Sequence, residues 1–274
     1  MTQEAGSVAS MHEVTQLRED GLSAPPLAGR AAIVTGGSRG IGRAIVERLA
    51  ADGAVIVFSY ATDSAAAEQV VAQVEAAGGR ARAVQTDIGE LEQVERLFGA
   101  ADEQLTQLGV DGLDILVNNA GIQASTPIER TTAEEYERVM AINARGAFFA
   151  IQNAARQMRE GGRIVNVSTI GTAYPGAGEA VYAASKAAVE QFARVASREL
   201  AGRGITVNTV SPGPTDTDLL RGAAPPEALE GAVQMTALGR LGRPADVADL
   251  VAFLVGKDAR WVTGQNIRAD GGLV

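Results

Sequence analysis

The run Ala31-Ala32-Ile33-Val34-Thr35-Gly36-Gly37-Ser38-Arg39-Gly40-Ile41-Gly42 decides the fold. Its first five residues are apolar or β-branched, the composition of a short buried strand. Glycines then take over at once, and Arg43-Ala44-Ile45-Val46-Glu47-Arg48-Leu49 resumes with the spacing of a helix. Strand, glycine loop and helix in succession bring backbone N–H groups and the positive end of a helix dipole to one place, where a pyrophosphate binds. Gly36, Gly40 and Gly42 stand where such a loop turns sharply or meets phosphate without a Cβ, with Ser38, Arg39 and Ile41 beside them. The spacing is Thr-Gly-x-x-x-Gly-x-Gly rather than the commoner Gly-x-Gly-x-x-Gly. The plain alternative is a glycine-rich βα turn; the flanking strand and helix favour nucleotide binding.

Working outward, strand-like runs recur at 54–59, 82–85, 113–117, 162–169, 205–210 and near 265–268, separated by helical patterns. This alternation predicts an α/β chain: a single-domain Rossmann fold over 29–274, with a doubly wound parallel sheet of about seven strands and helices on both faces. Residues 1–28 are polar and broken by Gly21, Pro25 and Pro26, and read as a flexible N-terminal arm. The segment 214–240 is rich in Pro, Gly and Ala and carries Leu219, Leu220, Leu229 and Met235. It reads as a substrate lid of one or two short helices.

Composition removes several chemistries. The chain of 274 residues has no cysteine and one histidine, His12, so thiolate catalysis, Ser-His-Asp triads and multi-histidine metal sites are out of reach. A net charge of −9 argues against nucleic acid or an anionic membrane as partner. No apolar run of about 18 residues occurs, and no signal peptide is legible, so a cytoplasmic protein is expected.

The polar residues at strand ends define the candidate site. In dinucleotide folds an acid near the end of the second strand holds the ribose 2′-hydroxyl. Here Ser59 and Tyr60 stand there, leaving room for a 2′-phosphate, with Arg39 able to supply a cation. This favours NADP over NAD. Asp87-Ile88 follows the third strand; Asp87 either accepts from an adenine amino group or caps the next helix. The fourth strand ends in Asn118-Asn119-Ala120-Gly121, whose amides suit locking strands and facing a ribose. Thr132-Ala133-Glu134-Glu135 reads as a capping box opening a helix whose inner face reaches Asn143. A buried amide there requires a partner. Tyr182 and Lys186 share a helix face at i, i+4; the ammonium is expected to lower the phenol pKa and make Tyr182 a general acid.

The ordered set Thr35-Gly36, Gly40-x-Gly42, Asn118-Asn119-Ala120-Gly121, Asn143, Ser168/Thr169, Tyr182-x-x-x-Lys186 and Pro212-Gly213 closely resembles the short-chain dehydrogenase/reductase family, from about residue 29 onward. Within it the chain looks most like the 3-oxoacyl-carrier-protein reductase-like and ketoreductase branch. The resemblance implies NADP(H)-dependent reduction of a ketone without a metal. Tyr182 would give the proton, and Lys186 would lower its pKa and bond the nicotinamide ribose. Asn143 would position a water, and Pro212, Gly213, Thr215 and Thr217 would face the nicotinamide amide and pyrophosphate. The hydroxyl that holds the carbonyl is either Thr169, thirteen residues before Tyr182 where the family usually has serine, or Ser168. Tyr174, Leu219 and Met235 would line a pocket for an apolar or mixed small molecule, and family membership implies a homotetramer. An NAD-linked alcohol or sugar dehydrogenase and a non-catalytic nucleotide sensor are the competing readings.

Overall fold

A computed structural model describes residues 24–223 and 225–274; His12 and most of the expected arm lie outside the described residues. The strands are β1 (Ala31–Val34), β2 (Val55–Tyr60), β3 (Arg80–Gln85), β4 (Leu113–Asn118), β5 (Met158–Val167), β6 (Thr206–Pro212) and β7 (Asn266–Ala269). They form one sheet in the order β3-β2-β1-β4-β5-β6-β7, every pairing parallel. The helices are α1 (Gly40–Ala51), α2 (Ser64–Ala76), α3 (Leu91–Gln107), α4 (Ala133–Met140), α5 (Ala147–Gln157), α6 (Ala180–Glu199), α7 (Asp218–Ala223), α8 (Pro226–Met235) and α9 (Pro244–Val255).

Strand alternation divides the core in two. Ala32, Val34, Ile56, Phe58, Ile115 and Val117 face α1, α2 and α9, where Ile45, Leu49, Val70 and Val251 meet them. Ala31, Ile33, Val55, Val57 and Leu116 face α3, α5 and α6, where Leu97, Phe98, Ile151 and Ala193 meet them. Both faces being covered explains why β1, β2 and β4 are near-continuous apolar runs. Strand order reverses between β1 and β4, and this switch point is where a parallel sheet opens a crevice at its carboxyl edge.

The opposite edge is tied by Asp114, whose carboxylate accepts the Ala31 N–H at 2.8 Å and both prongs of the Arg159 guanidinium. The compact body starts earlier than residue 29: Leu27 is in the core and its N–H donates to the Asp52 carbonyl at 2.8 Å. The capping box is half formed. Thr132 accepts the Glu135 N–H at 3.2 Å, but the Glu135 carboxylate accepts from the Thr126 hydroxyl at 2.6 Å instead of turning back.

Candidate active site

The glycine loop spans the crevice mouth. Gly40 has φ +54°, and a Cβ at Gly42 would stand 2.0 Å from the Gly36 carbonyl oxygen, so α1 enters against the loop only because Gly42 has no side chain. α1 begins without a side-chain cap and without an acid in its first turn. Its first N–H groups and its dipole are therefore left for an anion. Ser38 and Ile41 are partly exposed, and Arg39 is exposed with no ion pair among the described residues. The donor set fits a pyrophosphate with a further phosphate near Arg39.

Neighbouring strand ends brace the loop. The Asn119 amide donates to the Thr35 and Gly36 carbonyls at 3.0 Å each, and Thr35 Oγ1 accepts from the Asn119 and Ala120 N–H groups at 3.0 Å each. Asn118 is turned inward, donating to Asn166 Oδ1 at 2.9 Å and the Ala147 carbonyl at 3.2 Å, so it locks β4 to β5.

The structure gives the expected cofactor residues the following partners within the chain. Ser59 is 1 % exposed, and its hydroxyl accepts the Gly36 N–H at 3.1 Å. It supports the loop from beneath, and the open end of β2 is Tyr60 followed by Ala61. Asp87 does not cap α3, whose N-cap is Glu90; it accepts the Gly89 N–H at 2.9 Å and pairs with Arg138 at 2.9 Å. Ile88 packs in the core, against Gly146. Past β6, the Gly213 N–H donates to the Ala269 carbonyl at 3.0 Å, and buried Thr215 turns its hydroxyl to the Gly213 carbonyl at 2.9 Å. Thr217 does reach the loop: its methyl lies 3.4 Å from where a Gly40 Cβ would be.

The second cluster gathers around α6. Lys186 is 5 % exposed, its Nζ donates to the Val167 carbonyl at 2.8 Å, and burial pushes its pKa down to about 8. Tyr182 is raised above the ordinary phenol value, mainly by burial; a hydrogen bond with Thr169 pulls it down and the Glu179 carboxylate pushes it up. This reverses the expected direction. The ammonium is aimed at a strand-end carbonyl, and desolvation of the phenolate prevails.

Asn143 lies in a π turn, Ala141–Gly146, between α4 and α5, and is 1 % exposed. Its amide holds the segment after β4: Oδ1 accepts the Ile122 N–H at 2.9 Å, while Nδ2 donates to the Ile122 carbonyl at 2.8 Å and to Ser185 Oγ at 3.1 Å. A Cβ on Gly121 would stand 3.1 Å from Lys186 Nζ and 3.3 Å from Asn143 Oδ1. The bare Gly121 Cα thus lets amine and amide share one space, with one Oδ1 lone pair left for a water.

The two candidate hydroxyls part company. Ser168 Oγ donates to Glu190 Oε1 at 2.7 Å, whereas Thr169 is the hydroxyl that acts on the phenol, drawing its pKa down. Tyr174, Leu219 and Met235 are exposed. The cations of the expected lid are engaged, Arg221 by Asp216 and Arg240 by Asp246. A hollow of about 380 Å³ lies on the lid between Arg221, Leu229, Val233 and Leu241, apart from the Tyr182 cluster. Sequence reasoning passed over Glu179, Ser185 and Glu190; the last stands four residues beyond Lys186, a spacing that could have marked it.

With this geometry in hand, likeness to known proteins is informative. Residues 36–274 match the family model described as enoyl-(acyl carrier protein) reductase. A short chain dehydrogenase/reductase of Aspergillus aculeatus is 39% identical over 259 residues, covering 90% of this chain and 96% of that protein. Among solved structures, the angucycline C-6 ketoreductase LanV with bound NADP superposes with a TM-score of 0.87 at 44% identity, covering 90% of this chain and 96% of LanV. A short chain dehydrogenase of Burkholderia cenocepacia in complex with NADP gives 0.85 at 42%, covering 90% and 99%. Fold, motifs and these likenesses agree, and the chain belongs to the short-chain dehydrogenase/reductase family of oxidoreductases.

Proposed function

We propose that the chain is an NADPH-dependent carbonyl reductase that turns a ketone into a secondary alcohol. The observation that carries this reading is the cluster at the end of β5, where buried Lys186 donates to the Val167 carbonyl at 2.8 Å, Tyr182 stands one helical turn before it and Gly121 lies between Lys186 and Asn143, beside the crevice of the glycine loop. The α1 N-terminus and loop N–H groups hold the pyrophosphate, and exposed Arg39 meets the 2′-phosphate. The absence of an acid at Tyr60 and Ala61, and the NADP in two similar structures, support the choice of cofactor. When bound, NADPH supplies the hydride.

The chain's own residues handle the oxygen. Thr169 donates a hydrogen bond to the carbonyl oxygen and Tyr182 delivers a proton to it as negative charge develops. A phenol raised by burial stays protonated through neutral pH, the state a reductase needs. Lys186, held by Val167, bonds the ribose, and Asn143 holds the water that returns the proton. With Arg221 and Arg240 already paired, the substrate is a neutral, largely apolar ketone contacting Tyr174, Leu219 and Met235. We also propose a homotetramer, supported by exposed Tyr136, Phe148, Phe253 and Trp261 on the isolated chain.

The test is NADPH and NADH oxidation followed against ketones, keto esters and diketones, with Tyr182→Phe alongside. The expected result is faster turnover with NADPH and a loss of at least about 100-fold in the variant, the scale of general-acid catalysis. Preference for NADH would refute the cofactor assignment, and an active Tyr182→Phe would refute the mechanism.

A further inference from the structure

The α6 face that carries Tyr182 and Lys186 continues one turn further to Glu190. Side chains four apart lie over one another on a helix, so the three rise from one stripe. Glu190 Oε1 accepts two hydroxyl hydrogen bonds, from Ser168 Oγ at 2.7 Å and from Thr172 Oγ1 at 2.6 Å. These hydroxyls bracket Thr169. Ser168 precedes it, and Thr172 closes the short 3-10 turn Ile170–Thr172, which Thr169 caps through the Gly171 N–H at 3.1 Å. Thr172 Oγ1 also lies 3.0 Å from the Thr169 carbonyl. A single carboxylate oxygen therefore grips the chain on both sides of Thr169.

We propose that Glu190 is a positioning residue, fixing the Thr169 hydroxyl against Tyr182 by holding Ser168 and Thr172 to the same helix that bears the phenol. The inference rests on the reading of Thr169 and Tyr182 as the pair that meets the carbonyl oxygen. It also commits to how Glu190 acts. Burial depresses the Lys186 pKa, and the Glu190 oxygen is taken up by the Ser168 and Thr172 hydroxyls. The action is geometric, through accepted hydrogen bonds. Because one oxygen accepts both, a glutamine carbonyl oxygen, with two lone pairs, serves in its place.

The experiment measures kcat and KM for a reducible ketone and for NADPH in the wild type, Glu190→Gln, Glu190→Ala, Thr169→Ala and the double variant Thr169→Ala/Glu190→Ala. NADPH affinity by fluorescence titration checks that each protein is folded. Glu190→Ala is expected to lower kcat by about 10- to 100-fold with NADPH affinity retained, the scale of losing one aligned donor. Glu190→Gln is expected to stay within about threefold of wild type, and Glu190→Ala to lower kcat by no more than about twofold further once Thr169 is gone, since groups acting as a unit are non-additive.

An equal loss from Glu190→Ala on both backgrounds overturns the proposal, as does full activity in Glu190→Ala or a Gln variant as poor as the Ala variant. If Glu190→Ala fails to bind NADPH, Ser168→Ala/Thr172→Val removes the two donors instead and carries the same comparison. Unchanged kcat in Thr169→Ala would strike down the role of Thr169, and the inference with it. A large loss in Thr169→Ala with additive Glu190→Ala would strike down the inference alone.

Discussion

At the scale of single residues, Lys186 is the sharpest point. The chain contains two lysines, Lys186 and exposed Lys257, so side-chain carbon NMR of lysine-labelled protein gives two signals to assign. In the cofactor-free protein Lys186 is expected to titrate with a midpoint near 8, and a midpoint at the ordinary lysine value of 10.5 would show that the amine is not desolvated. The fold favours the neutral amine. Its contribution to stability therefore rises with pH between about 8 and the unfolded-state value, and is lost below about 8. Tyr182 and Lys186 were legible as a pair because a spacing of four has one meaning on a helix. The choice between Ser168 and Thr169 was not, because it depends on how the chain leaves β5 and on Glu190, twenty-two residues beyond Ser168. The direction of the Tyr182 shift was misread for a similar reason: sequence places the ammonium nearby, but only the packed structure shows it aimed at Val167.

At the scale of elements, strand–loop–helix order was readable almost throughout, since parallel strands buried on both faces are continuous apolar runs. The π turn was not. Ala141-Ile142-Asn143-Ala144-Arg145-Gly146 has the composition of ordinary helix, and nothing local announces the wider turn that presents Asn143 to Ile122 and Ser185. The half-formed capping box shows the same limit: Glu135 is at the right spacing, but the Thr126 hydroxyl competes for it. The α1 entry allows a direct test. Gly42→Ala places a methyl where the Gly36 carbonyl oxygen already stands. It is expected to lower stability by about 1–3 kcal/mol or more and to weaken NADPH binding at least tenfold, read by thermal unfolding and fluorescence titration. Wild-type affinity in that variant would mean that the loop does not hold the pyrophosphate.

At the scale of the whole molecule, the sheet separates its tasks. The carboxyl edge carries the glycine loop, the Asn119 brace and the Tyr182 cluster, while the amino edge carries the Asp114–Arg159 tie. The sequence showed the fold class, but not where the body begins: Leu27 lies in a stretch broken by prolines and is still buried. Assembly is the question for this scale. Trp261, the one tryptophan, is 97 % exposed in the isolated chain and stands just before edge strand β7. Light scattering is expected to give four protomers, with indole emission shifting to the red on dilution below the assembly range. Emission fixed at the position of indole in water at all concentrations would place Trp261 outside any interface.

The hydrogen bond from the Gly36 N–H to buried Ser59 constrains how this protein could be re-engineered. An acid introduced at Ser59 to recruit NADH would arrive under the glycine loop, desolvated and aimed at the backbone proposed to hold the pyrophosphate. A redesign of cofactor preference has to leave Ser59 in place and work at Tyr60, Ala61 and Arg39.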